Sequence, residues 1–264
     1  MSMARTTWRK PPFIKNPTFR YGLYAAVTLY VVFTLATLPI DWDRVSDGMR
    51  RAQRIFNGAF PPNFERSGLL IDGFLESLKI AILATVGGIA LSVPLAFMAA
   101  RNVSIKPVYL LGRGIIIVAR SFHPVIVAII FVKAVGFGPF AGALTLVVYS
   151  IGFVAKLLAE RIEEIDFGQV EAMRSVGAGF LSTLVYAVVP QIMPRLVGLG
   201  IYQLDSNLRA SAVVGIVGAG GIGATLANAF GRYDYDFALA ITMVIVGAIL
   251  VSEAVSGLVR KRIA

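Results

Sequence analysis

FLESLKIAILATVGGIALSVPLAFMAA, residues 74–100, is a long and almost unbroken apolar run. A helix crosses a hydrocarbon core of about 30 Å with roughly 20 apolar residues, so this run is long enough to span a bilayer. Five further runs read the same way: about Tyr21–Ile40, Pro107–Val135, Phe140–Ala159, Pro190–Val217 and Phe237–Val259. Apolar residues occupy all faces of each, which marks lipid-embedded rather than surface-amphipathic helices. The expected fold is an all-α polytopic membrane protein with six transmembrane helices.

Composition agrees. The 264 residues are 57% apolar and only 15% charged, against about 25% charged in soluble domains. Disorder and a collagen-like chain are excluded by the apolar content and the lack of a glycine period. The formal charge is +10, from 25 basic and 15 acidic residues. A nucleic-acid binder would gather its basic residues on one solvated face. Here apolar runs separate them, as expected for loop anchors, and no nucleic-acid partner is expected. With no cysteine, disulfides, thiolate–metal sites and cysteine nucleophiles are excluded.

Residues 1–20 form a basic tail with Arg5, Arg9, Lys10, Lys15 and Arg20 and no acid. The first apolar run is too long for a secretory signal and ends at Leu38-Pro39-Ile40-Asp41, so it reads as a retained helix. Positive charge favours the cytoplasmic side, and six crossings return Arg260, Lys261 and Arg262 to the side of the amino terminus. Residues 21–72 comprise the first helix and an external loop whose Arg44, Arg50, Arg51, Arg54 and Arg66 conflict with that rule. Within it Val45–Phe56 reads as a short interfacial helix interrupted by Pro61-Pro62. Residues 73–264 form the remaining transmembrane core. Its long polar stretch, Glu160 to about Tyr186, suits a cytoplasmic helical hairpin, within a loop at about 160–189.

In that loop Glu171-Ala172-Met173 is followed after three residues by Gly177, and after nine more by Ala187-Val188-Val189-Pro190. The spacing resembles the E-A-A-x3-G-x9-I-x-L-P loop of bacterial ABC importer permeases, with Met173, Ala187 and Val189 as apolar or small departures. Small residues at Ala172 and Gly177 would let a short helix seat closely in a partner's groove, and Pro190 suits the first turn of a helix. The likeness extends to Gly136-Phe-Gly-Pro-Phe-Ala-Gly142, Lys156–Glu160, Glu163-Glu164-Ile165-Asp166, Val189-Pro190-Gln191 with Pro194, Ser206-Asn207-Leu208-Arg209 and Gly218-Ala-Gly-Gly-Ile-Gly223. Together these resemble the phosphonate-type ABC permease subfamily. Asp205 stands where that subfamily usually has Glu, and His123-Pro124 departs from its pattern after Arg120-Ser121.

The resemblance implies an ABC importer permease fold and a pathway for phosphonate or a related phosphorus oxyanion such as phosphite or phosphate. A permease for another small solute such as methionine is the alternative. It further implies a homodimer in the bacterial inner membrane, an ABC ATPase dimer docked on the Glu171 loop, and an external phosphonate-binding protein. ATP and Mg would belong to the ATPase. This chain has no G-x4-G-K-[ST] loop, so it is not expected to be an enzyme or to hold a cofactor itself.

A charge inside a span costs roughly 2.5–3.5 kcal/mol on insertion scales and needs a partner, a wet cavity or a route to the interface. Arg113 and Lys133 lie near the ends of the third span and are expected to snorkel. Arg120 lies deeper, followed by Ser121 and His123. Asp205 and Arg209 are four apart and share a helix face, with Asn207 elsewhere on the turn. Two readings stand for Asp205, Arg209 and Arg120: structural neutralisation, or a pore-facing polar lining that screens an anion or forms the external gate. Arginine suits the second because its planar donors fit two oxygens at once. His123 is the only histidine, and no metal site is expected.

Gly218, Gly220, Gly221 and Gly223 imitate a dinucleotide fingerprint, with Asp236 following 18 residues after Gly218. A βαβ unit does not fit in the residues between. The glycines are expected to break or tightly pack the helix, as a re-entrant turn lining the outlet. Gly87-Gly88 and Pro94 suggest close packing and a kink in the second span. No zinc motif or nucleophile constellation favours an intramembrane enzyme, and the docking loop disfavours a self-sufficient transporter.

Overall fold

The computed structural model describes Ile14, residues 16–39 and residues 41–263, with side chains as far as Leu258. Arg5, Arg9, Lys10 and Lys15, and the side chains of Arg260, Lys261 and Arg262, lie outside the described residues. The chain divides into two units, Met1–Arg54 and Ile55–Ala264.

In the first unit α1 runs Pro17–Thr37. Asn16 caps it by accepting the Thr18 N–H at 3.1 Å, and Pro17 supplies a preset φ where no N–H is needed. None of its residues is buried. The next helix, α2, spans Trp42–Ala59; it is longer than Val45–Phe56 and stops before Pro61-Pro62.

The second unit is built around α3, Ser67–Met98, a 32-residue helix that continues unbroken through Pro94. A stripe of mostly small residues, among them Ser77, Ala81, Ala84, Gly88, Ser92 and Ala96, forms its buried face. In lipid, where apolar burial between helices gains little, close backbone approach supplies the packing. A side chain at Gly88 would overlap Ser150, and one at Gly142 would overlap the Ala219 carbonyl. Larger side chains fill three interior clusters: Leu158, Ile162 and Ile192; Ile80, Leu146 and Val214; and Leu70, Ile222, Phe237 and Ile241.

The third span is not one helix. Helices α4 (Lys106–Ser121) and α5 (Pro124–Val135) meet at 92°. Among the described residues, counting that pair as one span gives six, and otherwise five helices are long and apolar enough to cross a membrane. Hydropathy averages across Phe122 and His123, so it could not register the bend. The fourth span joins α6 (Pro139–Ser150) to α7 (Lys156–Glu163) through a π-helical turn, Ile151–Ala155.

A short α8, Phe167–Ser175, follows. The fifth span then begins ten residues before the expected Pro190, inside the stretch read as a polar loop. It comprises α9 (Phe180–Thr183), a π turn (Leu184–Val188), α10 (Val189–Val214) and a last turn (Gly215–Ala219) broken by a kink at Gly218, 40 residues in all. Pro190 sits in the first turn of α10, as expected, while the π turn ahead of it carries the helical chain back to Phe180. A proline within an α-helix leaves a carbonyl without its partner, and local π geometry is one way such a defect is absorbed. Helix α11 covers Gly221–Gly231 and α12 covers Tyr235–Ile263.

Arg113 does not snorkel freely. Its Nε donates to the Ala99 carbonyl at 2.9 Å and its guanidinium reaches Glu163 Oε1 at 2.9 Å. Glu163 also accepts the Arg101 N–H at 2.8 Å. A carboxylate within reach offsets desolvation better than a stretched side chain does. Lys133 is exposed.

Candidate functional site

The break in the third span sets up the first group of candidates. A residue before proline is pushed out of the α region, and His123 takes φ −68° and ψ 140° ahead of Pro124. Phe122 is extended as well, at φ −101° and ψ 133°. His123 then caps α5: its Nδ1 accepts the Val125 N–H at 3.3 Å, and its carbonyl accepts the Ile126 N–H at 2.9 Å. With Nδ1 accepting, the neutral ring presents Nε2–H as a donor. Ser121 is engaged elsewhere, its Oγ donating back to the Ile117 carbonyl at 2.8 Å.

Arg120, the last full turn of α4, has neither ion pair nor hydrogen bond among the described residues and is exposed. It opens onto a cavity of about 460 Å³ lined also by Phe122, His123, Tyr149 and Phe153. Gly152, in the π turn of the fourth span, makes this placement possible. A Cβ there would stand 2.8 Å from Arg120 Cγ and 3.2 Å from the Ala119 carbonyl carbon. Phe153 stacks on Tyr202 at 5.3 Å between centroids, which ties that wall to α10. The cavity thus joins one fixed positive charge and two neutral donors to aromatic walls, an arrangement suited to a small oxyanion.

Asp205 and Arg209 form the second group. They pair at 3.1 Å on one face of α10. Ser252 Oγ from α12 donates to the other Asp205 oxygen at 2.7 Å, so both carboxylate oxygens are engaged. The Asp205 side chain is 14% exposed and that of Arg209 54%, which leaves the guanidinium accessible. Asn207 lies away from this pair. It is fully buried, with Nδ2 donating to Thr85 Oγ1 at 2.9 Å and to Ser150 Oγ at 3.0 Å. Gln203 Nε2 donates to Asn207 Oδ1 and Ser150 Oγ, each at 3.0 Å. Asn207 therefore ties α10 to α3 and α6 inside the protomer.

The polar loop carries the third group. Asp166 caps α8 by accepting the Gly168 N–H at 2.9 Å. Gln191 holds the loop to α10, accepting the Asp166 N–H at 2.8 Å and donating to the Asp166 carbonyl at 3.2 Å. Glu171 and Ala172 are exposed, while Met173 packs toward the core. Gly177 adopts φ +79° and ends the helix. Its N–H bonds the Arg174 carbonyl and the Ala178 N–H bonds the Met173 carbonyl, the paired bonds of a Schellman motif. A left-handed helix stop accounts for this glycine within the chain itself.

At the fourth group, Gly218, Gly220 and Gly221 all take positive φ, at 94°, 79° and 74°. The chain reverses there into α11, whose 11 residues rise about 17 Å, too short to cross a core of about 30 Å. Ser77 Oγ receives the Ile222 N–H at 2.9 Å, and the Gly218 carbonyl receives the Gly138 N–H at 3.0 Å. Next to the turn is a cavity of about 620 Å³ lined by Glu76, Phe137, Thr225 and Asn228. Among the described residues no group of three or more His, Cys, Asp or Glu is arranged to hold a metal.

Sequence reasoning missed Glu76, Tyr149, Gly152 and the Thr85, Ser150 and Gln203 partners of Asn207. Glu76 was visible as an acid inside an apolar run. The others depend on contacts between distant spans, for which the sequence carries no local signal.

Residues 92–264 match the family described as binding-protein-dependent transport system inner membrane component. The chain is 46% identical over 252 residues to the phosphate-import permease protein PhnE of Mycolicibacterium smegmatis, covering 95% of this chain and 47% of that protein. It thus spans about half the length of that relative. It is 37% identical over 223 residues to the phosphite transport system permease protein PtxC of Stutzerimonas stutzeri, covering 84% of this chain and 81% of that one. A D-methionine permease, MetI of Vibrio cholerae, is 29% identical over 213 residues, covering 74% and 92%. In fold, the chain is similar to the inward-facing MetNI methionine ABC transporter, with a TM-score of 0.66 and 21% identity over 76% of this chain and 99% of that one. The chain is therefore a multi-pass membrane protein of ABC importer permease fold, and it belongs to the family of binding-protein-dependent transport system inner membrane components.

Proposed function

We propose that this chain forms the translocation pathway of an ATP-driven importer for a phosphorus oxyanion: phosphonate, phosphite or phosphate. Two copies pair around the pathway, an ATPase dimer docks on the loop at about 160–189, and an external binding protein delivers the substrate. Both termini then face the cytoplasm, with the bent third span counted as one crossing. The absence of a phosphate-binding loop in this chain assigns ATP hydrolysis to the ATPase subunit.

The observation that carries the substrate class is Arg120, an unpaired guanidinium at the cavity beside His123 and Tyr149. An anion leaving water for a low-dielectric passage loses solvation, and fixed donors replace it. Guanidinium grips two oxygens of a tetrahedral oxyanion, while His123 Nε2–H and the Tyr149 hydroxyl reach others. The relatives named for phosphate and phosphite support the same class. The more distant D-methionine relative supports the architecture rather than that ligand.

Uptake of radiolabelled phosphite, phosphate, methylphosphonate and methionine into proteoliposomes carrying the assembled transporter tests this reading. Arg120→Gln should abolish substrate-dependent uptake while leaving assembly with the ATPase intact, and Arg120→Lys should restore only part of it. Undiminished uptake by Arg120→Gln, or methionine as the transported solute, would overturn it.

A further inference from the structure

We infer that α2 is a docking element for anionic phospholipid, held flat on the outer membrane surface by its own arginines. The inference rests on reading α1 and α3 as spans and is independent of the transported substrate. Trp42, Val45, Met49, Ala52, Phe56 and Ala59 recur at spacings of three and four residues, so one apolar stripe runs the length of the helix. Trp42, Val45, Met49 and Phe56 are exposed at 72%, 48%, 70% and 68%. Such a stripe does not rest in water.

The chain's own connections identify what covers it. Helix α1 ends at Thr37 and α2 begins at Trp42. The residues between them reach at most about 3.6 Å each, so the start of α2 stays near the point where α1 leaves the bilayer. At the other end α2 stops at Ala59 and α3 starts at Ser67. The exposed stripe that follows α1, from Trp42 through Met49, therefore has lipid within reach, while Ala59 at the other end of the helix is buried.

Charge selects the kind of lipid. The polar face carries Arg44, Arg50, Arg51 and Arg54. Arg44 pairs with Asp41 at 3.0 Å and Arg50 with Asp47 at 2.7 Å. Arg51 and Arg54 have no ion pair or hydrogen bond among the described residues and lie on the same polar face. Their long stems reach from the polar face toward headgroup phosphates while the apolar stripe enters the acyl boundary. The same placement accounts for an arginine-rich segment on the side where the positive-inside rule disfavours it: these arginines are lipid ligands, not loop anchors.

The chain has two tryptophans, so Trp8→Phe leaves Trp42 as the sole emitter. The full-length Trp8→Phe chain is placed in lipid nanodiscs with and without phosphatidylglycerol, and Trp42 is quenched by brominated acyl chains or by aqueous acrylamide. Brominated lipid should quench Trp42 efficiently and acrylamide poorly, with the contrast larger when phosphatidylglycerol is present. Each free arginine should shift docking about fivefold in favour of the anionic surface. The double variant Arg51→Gln and Arg54→Gln should therefore lose the phosphatidylglycerol dependence, and the double lysine variant should keep most of it. Strong acrylamide quenching would place α2 in water and overturn the inference. Protection from both quenchers would mean that protein, such as a second copy, covers the stripe, and would overturn it too. Quenching indifferent to phosphatidylglycerol, or a dependence abolished by millimolar inorganic phosphate, would refute lipid-headgroup recognition.

Discussion

Replacing Asn207 by alanine removes three hydrogen bonds of 3.0 Å or shorter, two donated to Thr85 and Ser150 and one accepted from Gln203, besides a long 3.4 Å contact from Ser150 Oγ. Between helices in lipid each such bond is worth about 0.6 kcal/mol on average and about 1.7 at most. Three therefore sum to about 2 kcal/mol, with a ceiling near 5. The lower figure is favoured because the partners are not orphaned. Thr85 Oγ1 still donates to the Ala81 carbonyl at 2.7 Å, Ser150 Oγ to the Leu146 carbonyl at 2.7 Å, and Gln203 Nε2 keeps Ser150. The expected loss is about 2 kcal/mol in SDS-driven unfolding of the purified permease followed by circular dichroism. A double-mutant cycle with Thr85→Val should return a coupling of about 0.6 to 1.7 kcal/mol. A single-variant loss below about 0.5 kcal/mol, or zero coupling to Thr85, would show that the network does not fasten α10 to α3.

Gly152→Ala should push the end of α4 outward, since its Cβ would lie 2.8 Å from Arg120 Cγ; overpacking of this kind costs about 1–3 kcal/mol, and substrate-stimulated ATPase activity should fall several-fold. Glu163→Gln should lower thermal stability by about 1–2 kcal/mol, because a partly buried charge-assisted contact to Arg113 becomes a neutral one; an unchanged melting profile would contradict the assigned pair. Arg209→Gln should cost less than about 1 kcal/mol in stability, as its side chain is half exposed, yet should lower substrate-dependent transport; intact transport and intact substrate-stimulated ATPase activity would remove Arg209 from the pathway.

The spans were legible because hydropathy sums over many residues and tolerates local irregularity. That tolerance concealed the irregularities that shape the candidate sites. The sequence Phe122-His123-Pro124 contained the pre-proline constraint that bends the third span, but the flanking apolar residues outweighed it in a long window. Asp205 and Arg209 were legible as a pair because their contact is set by helical periodicity alone. Arg120 was legible as a charge inside a span, whereas Gly152, which seats it, lies on another span. For the same reason Asn207 could be picked out by polarity but not assigned its interior partners. Pro190 was legible as a first-turn residue of α10, but nothing in the sequence showed that a π turn joins α10 to the helical turn before it.

The π turns at Ile151–Ala155 and Leu184–Val188 act as phase slips. One residue corresponds to about 100° of rotation in an α-helix, and a π turn takes up an extra residue without that rotation, so the sequence beyond it runs about 100° out of phase with a uniform wheel. A helical wheel drawn through the fifth span from Phe180 to Ala219 therefore mixes several frames, and faces must be compared within one frame at a time. Asp205 and Arg209 share the frame of α10, so their common face is real. A one-residue insertion taken up as a π turn leaves the far half of the span looking in its original direction, whereas the same insertion in regular α-helix would turn it by about 100°. A π turn is thus a place where a span can change its residue count without turning the faces on either side of it.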